Sequence, residues 1–261
     1  MLIDEYDTPV NDAHLHGFRG RVLDFYRSWL SGALKGTVDL YCAALTGVLR
    51  VSQESIFSEL NNARFDTTLD DDHAEAIGFT AAEAEALAVH AGRAGREGEM
   101  AEWYDGYRFG SADVYNPWSV LNFLQTGEAQ PYWTNTSRNG IVVDLIRRAG
   151  AEQTAELAEL VAGGTVEKPL DLRTVFDDLS ESPDAVWAQL YQAGYVTTED
   201  TGRPNDRSMP RRLRIPNLEV RRLYEKELLA RAAGLAGSGL VRWGVAFGGK
   251  HVAVACVRAG D

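Results

Sequence analysis

The sequence is short of the residues that staple a chain from outside. Its two cysteines, Cys42 and Cys256, each sit in an apolar run with no Cys-x-x-Cys or Cys/His ligand spacing. A disulfide framework and a zinc site are therefore excluded, and a reducing cytoplasm is the default compartment. Positive charge is also scarce. With 26 Lys+Arg against 38 Asp+Glu and a formal net charge of -12, a polybasic coat for nucleic acid or anionic lipid is excluded, although a local basic patch is not. No apolar run approaches the roughly 18 residues of a membrane span, and Met1-Leu2-Ile3-Asp4-Glu5 lacks the basic start of a signal peptide. What is present is 45% hydrophobic residues over 261 positions, enough for one large or two small cored domains. No internal repeat is visible.

The pattern of residues predicts a short strand at the start, then an amphipathic helix with Phe18, Val22, Leu23, Phe25, Tyr26, Leu30 and Leu34 as its apolar stripe. Val38 to Val51 reads as a buried strand, followed by a capped short helix through Asn61. Residues 65–69 read as a third strand, with Asp70-Asp71-Asp72 at its exposed end. Thr80-Ala81-Ala82-Glu83 has the form of a capping box and predicts a helix to about His90. From Glu102 to Trp133 the aromatic density is too high for a linker, so a compact, loop-rich unit with an embedded helix over 117–125 is expected. Helical patterns follow over 151–164 and 183–194, with Gly194 as the stop. A hairpin of 195–198 with 213–215 and a helix over 217–232 complete the order helix, hairpin, helix, which is that of a winged helix. Leu240 to Val257 reads as a pair of strands.

Leu2-Ile3-Asp4-Glu5 has the form of a Walker B strand end, where Asp4 is placed to hold magnesium and Glu5 to polarise the attacking water. Strand endings of this kind also occur in many unrelated folds. Arg50 reads either as a sensor on a nucleotide's phosphates or as a capping or ion-pairing arginine. Asp105, Arg108, Asn116 and Asn135, set among aromatics, read first as partners for buried backbone and hydroxyl groups. His14 and His16 sit at a loop-to-helix entry and, with His73, His90 and His251 scattered, make no catalytic triad. Residues 203–222 hold Arg203, Arg207, Arg211, Arg212, Arg214, Arg221 and Arg222 against Asp206 and Glu219. Arg211, Arg212 and Arg214 are thus candidate contacts to a nucleic-acid backbone, with a solvated loop or a clamp on acidic neighbours as the equal alternative.

Leu2 to Val10 resembles the Walker B segment of the AAA-ATPase-like family that carries a C-terminal PD-(D/E)XK nuclease domain. Further words follow in the family's order. Leu45-Thr46-Gly47-Val48-Leu49-Arg50 is similar to its sensor segment. Its most distinctive signatures are matched by Glu102-Trp103-Tyr104-Asp105-Gly106-Tyr107-Arg108-Phe109-Gly110 and by Tyr115-Asn116-Pro117-Trp118-Ser119-Val120. Pro131-Tyr132-Trp133-Thr134-Asn135-Thr136-Ser137, Gln192-Ala193-Gly194-Tyr195-Val196 and Ile215-Pro216-Asn217-Leu218-Glu219-Val220 are similar to later blocks. The resemblance implies ATP and Mg²⁺ as ligands, Asp4 as metal holder, Glu5 as catalytic carboxylate, and Thr46 and Arg50 as nucleotide sensors.

The family's phosphate loop is expected well ahead of Asp4. Gly244-Val245-Ala246-Phe247-Gly248-Gly249-Lys250 has the spacing of such a loop, but His251 replaces the metal-binding Ser/Thr and a strand pattern follows. The nuclease set of Asp followed by Glu-x-Lys is absent too, since none of Lys35, Lys168, Lys226 and Lys250 has Glu two residues before it. The expectation is a fragment of an α/β plus mostly α protein in four parts. Residues 1–75 form part of a P-loop (ASCE/AAA-like) core, 76–150 a helical aromatic-rich lid, 151–232 a winged-helix-like domain and 233–261 a nuclease remnant. Such a fragment has impaired or no ATP hydrolysis and no nuclease activity, and its unpaired sheet edges invite self-association. The alternative is a non-catalytic module that binds nucleic acid or protein through 203–222.

Overall fold

The structure, a computed structural model, describes residues 1–34, 40–48, 64, 66–136, 143, 149–170, 172, 185–200, 209–237, 242–244 and 255–257. The chain divides into two compact units, one of residues 1–66 with 170–193 and the other of residues 67–169 with 194–261. Secondary structure is mixed, with much helix and small sheets.

In the first unit, β1 (Leu2–Ile3) runs parallel to β2 (Ala44–Leu45), with Leu2 opposite Ala44 and Ile3 opposite Leu45. No third strand joins them among the described residues. Among the described residues of 38–51, the expected strand is limited to Ala44 and Leu45. Tyr41 is fully exposed, because the pairing runs no further than β1 offers partners. Ile3 and Leu45 turn toward a core of Tyr6, Val10, Tyr26 and Leu30, with Val22, Leu23 and Leu34 packed beside it. Val10 comes from α1 (Thr8–Leu15), Tyr6 from the turn before it, and Tyr26, Leu30, Val22, Leu23 and Leu34 from α2 (Arg19–Leu34). His14 thus lies in a helix. Helix α1 starts at Thr8-Pro9, where proline lacks only an N–H that the first turn leaves unbonded anyway.

On α2 the apolar stripe divides. Phe25 stands about 100° around the helix from Tyr26, and is 62% exposed. It stacks instead on Trp29, with ring centroids 6.1 Å apart. Also in this unit is α8 (Ala185–Gln192), most of whose side chains are buried.

The second unit begins with a turn where a strand was expected. Asp70 accepts from the Thr67 N–H and hydroxyl, both at 2.7 Å, and this local bonding outcompetes extension. Helix α3 (Ala81–His90) carries the expected capping box between Thr80 and Glu83. After α4 (Glu97–Tyr104) comes a hairpin of β3 (Tyr107–Phe109) and β4 (Ala112–Val114). Asn116 caps α5 (Pro117–Thr126) by accepting from the Ser119 N–H at 3.2 Å, and Gly127 closes the helix at φ 77°. Ala84, Ala88, Met100, Tyr104, Tyr115, Val120, Phe123 and Leu124 form the core between α3, α4 and α5.

The short α6 (Trp133–Thr136) and then α7 (Ala151–Val161) lead to β5 (Val166–Pro169). The expected hairpin is present as β6 (Thr197–Thr198) against β7 (Pro210–Arg214). β5 adds an antiparallel third strand on the other side of β7. Helix α9 (Leu218–Gly237) follows. The terminal strand pair is β8 (Arg242–Gly244) with β9 (Ala255–Val257), antiparallel. The readings made at 52–61, Arg50, Arg203, Arg207 and 245–250 lie outside the described residues.

Candidate functional site

Both strands of the small parallel sheet end on the same side, and there the sequence candidates meet. Thr46, next after β2, donates its hydroxyl to Oδ1 of Asp4, next after β1. The same Asp4 oxygen accepts the Glu5 N–H at 3.0 Å. The ladder fixes this register. Thr46 N–H donates to Ile3 O at 2.9 Å and Tyr6 N–H to Thr46 O at 3.0 Å. Asp4, Glu5 and Thr46 are all exposed, at the carboxyl ends of parallel strands, where ligands of α/β sheets bind.

Glu5 has φ 51°, the left-handed region, which costs a residue with a Cβ about 1–2 kcal/mol. This step stops β1 and turns the chain into α1. The Glu5 carboxylate accepts from the Thr8 hydroxyl at 3.4 Å. Asp4, Glu5 and Thr46 supply hard oxygen donors, the chemistry that suits Mg²⁺. Mg²⁺ commonly takes one or two carboxylates and fills its remaining positions with phosphate and water. No cluster of three or more His, Cys, Asp or Glu able to enclose a metal by itself exists among the described residues.

Two residues missed in the sequence complete the strand end. Asp7 is only 2% exposed and accepts the Val48 N–H at 3.3 Å, while Gly47 brings its backbone against that carboxylate. The signal for Asp7 was its place directly before the helix that opens with Thr8-Pro9.

Among the described residues of the basic segment, Arg211, Arg212 and Arg214 do not present one surface. Arg211 is 5% exposed, pointing with Val166, Lys168 and Leu213 to the inner face of the β5–β7 pair. Arg214 donates to the backbone oxygens of Ile215 at 3.3 Å, Pro216 at 3.0 Å and Gly106 at 3.0 Å. Of the three, only the Arg212 side chain is largely exposed, and it lies 3.7 Å from Glu199. Arg214 is therefore a brace inside the unit, with its guanidinium on carbonyls and its Nε 3.9 Å from Glu199.

The aromatic-polar words of the second unit meet elsewhere, around Glu219. This carboxylate is wholly buried at the start of α9. It accepts from the Ser119 hydroxyl at 2.7 Å and the Thr134 N–H at 3.1 Å, while the Trp133 N–H donates to the Ser119 oxygen at 3.3 Å and the nearby Trp133 and Tyr132 N–H groups favour its charged form. Burial raises its pKa above the ordinary glutamate range against the pull of those bonds. Asn217 accepts from the Val220 N–H at 3.1 Å and donates to Asp105 O at 3.0 Å. Asp105 is likewise raised by burial, opposed by the Gly106 N–H. Asn135 donates to Pro131 O, and Arg108 to Ser111 O and Asp113. Asn116, Asn135, Arg108 and Asn217 thus satisfy buried or local groups, as the sequence indicated for the first three.

Residues 1–57 match the AAA-ATPase-like family, described as a predicted AAA-ATPase. The chain is 31% identical over 233 residues to an uncharacterized protein in the vnfD 5′ region of Azotobacter chroococcum mcd 1. That alignment takes in 88% of this chain and 43% of the relative, so the chain spans less than half of the relative's length. No solved structure matches, and neither finding shows a PD-(D/E)XK nuclease domain. No described helix is long and apolar enough to cross a membrane. The stretch that matches the AAA-ATPase-like family is the one that brings Asp4, Glu5 and Thr46 together.

Proposed function

We propose that residues 1–57 form the metal-holding and water-activating part of an ATP-hydrolysing site in a P-loop-type ATPase, Asp4 and Glu5 being its Walker B pair. The observation that carries this reading is the hydrogen bond from Thr46 to Asp4 at the common end of two parallel strands. It joins the carboxylate and sensor positions within the stretch that matches a predicted AAA-ATPase.

Mg²⁺ with ATP, when bound, supplies the transferable phosphoryl group and neutralises charge on it. Asp4 offers a carboxylate to the metal while Thr46 fixes its orientation. Glu5 lies one residue away, steadied by Thr8, to orient the attacking water and take its proton. In this reading the phosphate cradle comes from polypeptide other than the described residues. The parallel β1–β2 pair belongs to an ASCE-type core, and α8, β6, β7 and α9 follow the element order of a winged helix.

The test uses Mn²⁺ in place of Mg²⁺, with water-proton relaxation as the readout on the full chain. Relaxation enhancement is expected to saturate with protein, to vanish in Asp4→Asn and to persist in Asp105→Asn. Enhancement that is the same in Asp4→Asn as in the wild type refutes the assignment.

A further inference from the structure

The Asp4–Thr46 pair depends on a loop that is clasped from behind. Thr46-Gly47-Val48 is fixed at its front by the ladder bonds of Thr46 to Ile3 and Tyr6. Behind it stands the Asp7 carboxylate, whose Oδ1 accepts the Val48 N–H at 3.3 Å. A Cβ placed on Gly47 would lie 2.6 Å from this oxygen and 2.8 Å from Cε1 of the Tyr6 ring. Both distances are below any real contact, so only glycine lets the loop approach so closely. Asp7 is itself anchored. Its backbone oxygen accepts the Val10 N–H at 3.0 Å in the first turn of α1, where the helix amino end favours negative charge. Tyr26, from the unit's core, feels its field.

We propose that Asp7 is a positioning residue for the Asp4–Thr46 pair, holding the loop through Val48 and Gly47 so that Thr46 meets Asp4 at the metal-holding end of the sheet. The proposal rests on the reading of Asp4 as a metal holder. Asp7 touches neither metal nor nucleotide in this scheme. It sets the geometry of the groups that do, and groups standing behind metal ligands typically matter by roughly 10- to 100-fold in metal affinity.

The experiment follows amide and methyl NMR signals of the full chain during Mn²⁺ titration, in the wild type and in Asp4→Asn, Gly47→Ala and Asp7→Asn. In the wild type, paramagnetic broadening is expected at Asp4, Glu5 and Thr46, and it is expected to be lost in Asp4→Asn. Gly47→Ala and Asp7→Asn should each shift the Mn²⁺ midpoint upward by roughly 10-fold or more, while the β1–β2 amides stay protected from exchange. If the wild type shows no broadening at Asp4, the metal-holding reading itself fails. If it does, and both variants keep the wild-type midpoint, the role of Asp7 is refuted. If both variants lose protection of the β1–β2 amides, Asp7 holds the fold and not the site, which also overturns the proposal.

Discussion

Replacing Glu219 by Gln separates the cost of a buried carboxylate from the value of its hydrogen bonds. The carboxylate is wholly buried, its two oxygens accept from the Ser119 hydroxyl and the Thr134 N–H, and the nearby Trp133 and Tyr132 N–H groups favour its charged form. A glutamine keeps one acceptor and turns an NH₂ toward the remaining donors. At least one of them then loses its partner, at about 1–3 kcal/mol. That is a large part of a typical domain stability of about 5–15 kcal/mol. Glu219→Ala leaves every donor unpaired and is expected to cost more.

The pH dependence gives a second handle, and its sign follows from the direction of the shift. Burial makes Glu219 bind its proton more tightly in the folded chain than in the unfolded one. The resulting stabilisation is fully present below the ordinary glutamate value of 4.5 and is lost as pH rises through the raised folded value. The Gln variant has no such proton. The wild type should therefore exceed Glu219→Gln by most in mildly acidic solution, and the gap should narrow toward neutral and alkaline pH. Urea unfolding followed by tryptophan fluorescence reads this, since Trp133 adjoins the site. A gap that is absent, or that widens as pH rises, refutes the account of Glu219.

Three further outcomes are expected. Glu5→Gly should be more stable than Glu5→Ala by about 1 kcal/mol, because only alanine keeps the Cβ penalty at φ 51°; equal midpoints in chemical unfolding of the first unit would remove the strain argument. Arg214→Ala should lower the stability of the second unit by about 2–4 kcal/mol through loss of charged hydrogen bonds to the Gly106, Ile215 and Pro216 oxygens, and an unchanged urea midpoint would show the brace to be idle. The 261-residue polypeptide should release no phosphate from ATP in steady state, since its one G-x-x-x-x-G-K run lacks the metal-binding Ser/Thr; turnover that disappears in Glu5→Gln would overturn this.

Local signals carried the parts of the fold that depend on neighbours in sequence. The capping box at Thr80 and Glu83, the Asn116-Pro117 start of α5 and the Gly194 stop (φ 78°) are all backbone chemistry within a few residues. The misreadings came where a neighbour far along the chain decides. The apolar run after Val38 satisfies the pattern of a buried strand, yet among its described residues only Ala44 and Leu45 pair as strand, because β1 is two residues long. Val166–Pro169 carries almost no strand signal and becomes β5 only because β7 lies alongside. The arginines of 203–222 looked alike as a charge count, but strand alternation sends Arg211 inward and leaves Arg212 out.

The same distinction bears on what the aromatic-polar words are for. Ser119, Thr134 and Glu219 come from three separate words, with sequence separations of 100 and 85 residues between the hydrogen-bonded pairs. Words that distant cannot be weighed one at a time. A lone buried Glu is costly, a lone Ser at the start of α5 is unremarked, and their value appears only when both fall on one point. The convergence explains a density of aromatics and polar groups without invoking chemistry there, since the described bonds of Asn116, Asn135, Arg108 and Asn217 go to backbone or local partners. At the strand end of Asp4 the balance is the reverse. Two adjacent carboxylates stand exposed, one of them on a strained backbone, and a hydroxyl from the neighbouring strand is spent on orienting a group that faces solvent. Exposure makes these features of little use to stability, and strain makes one of them a cost. Under the proposed function a ligand at the sheet's carboxyl end accounts for this placement, so Asp4, Glu5 and Thr46, and not the more conspicuous words of the second unit, are the residues to test first.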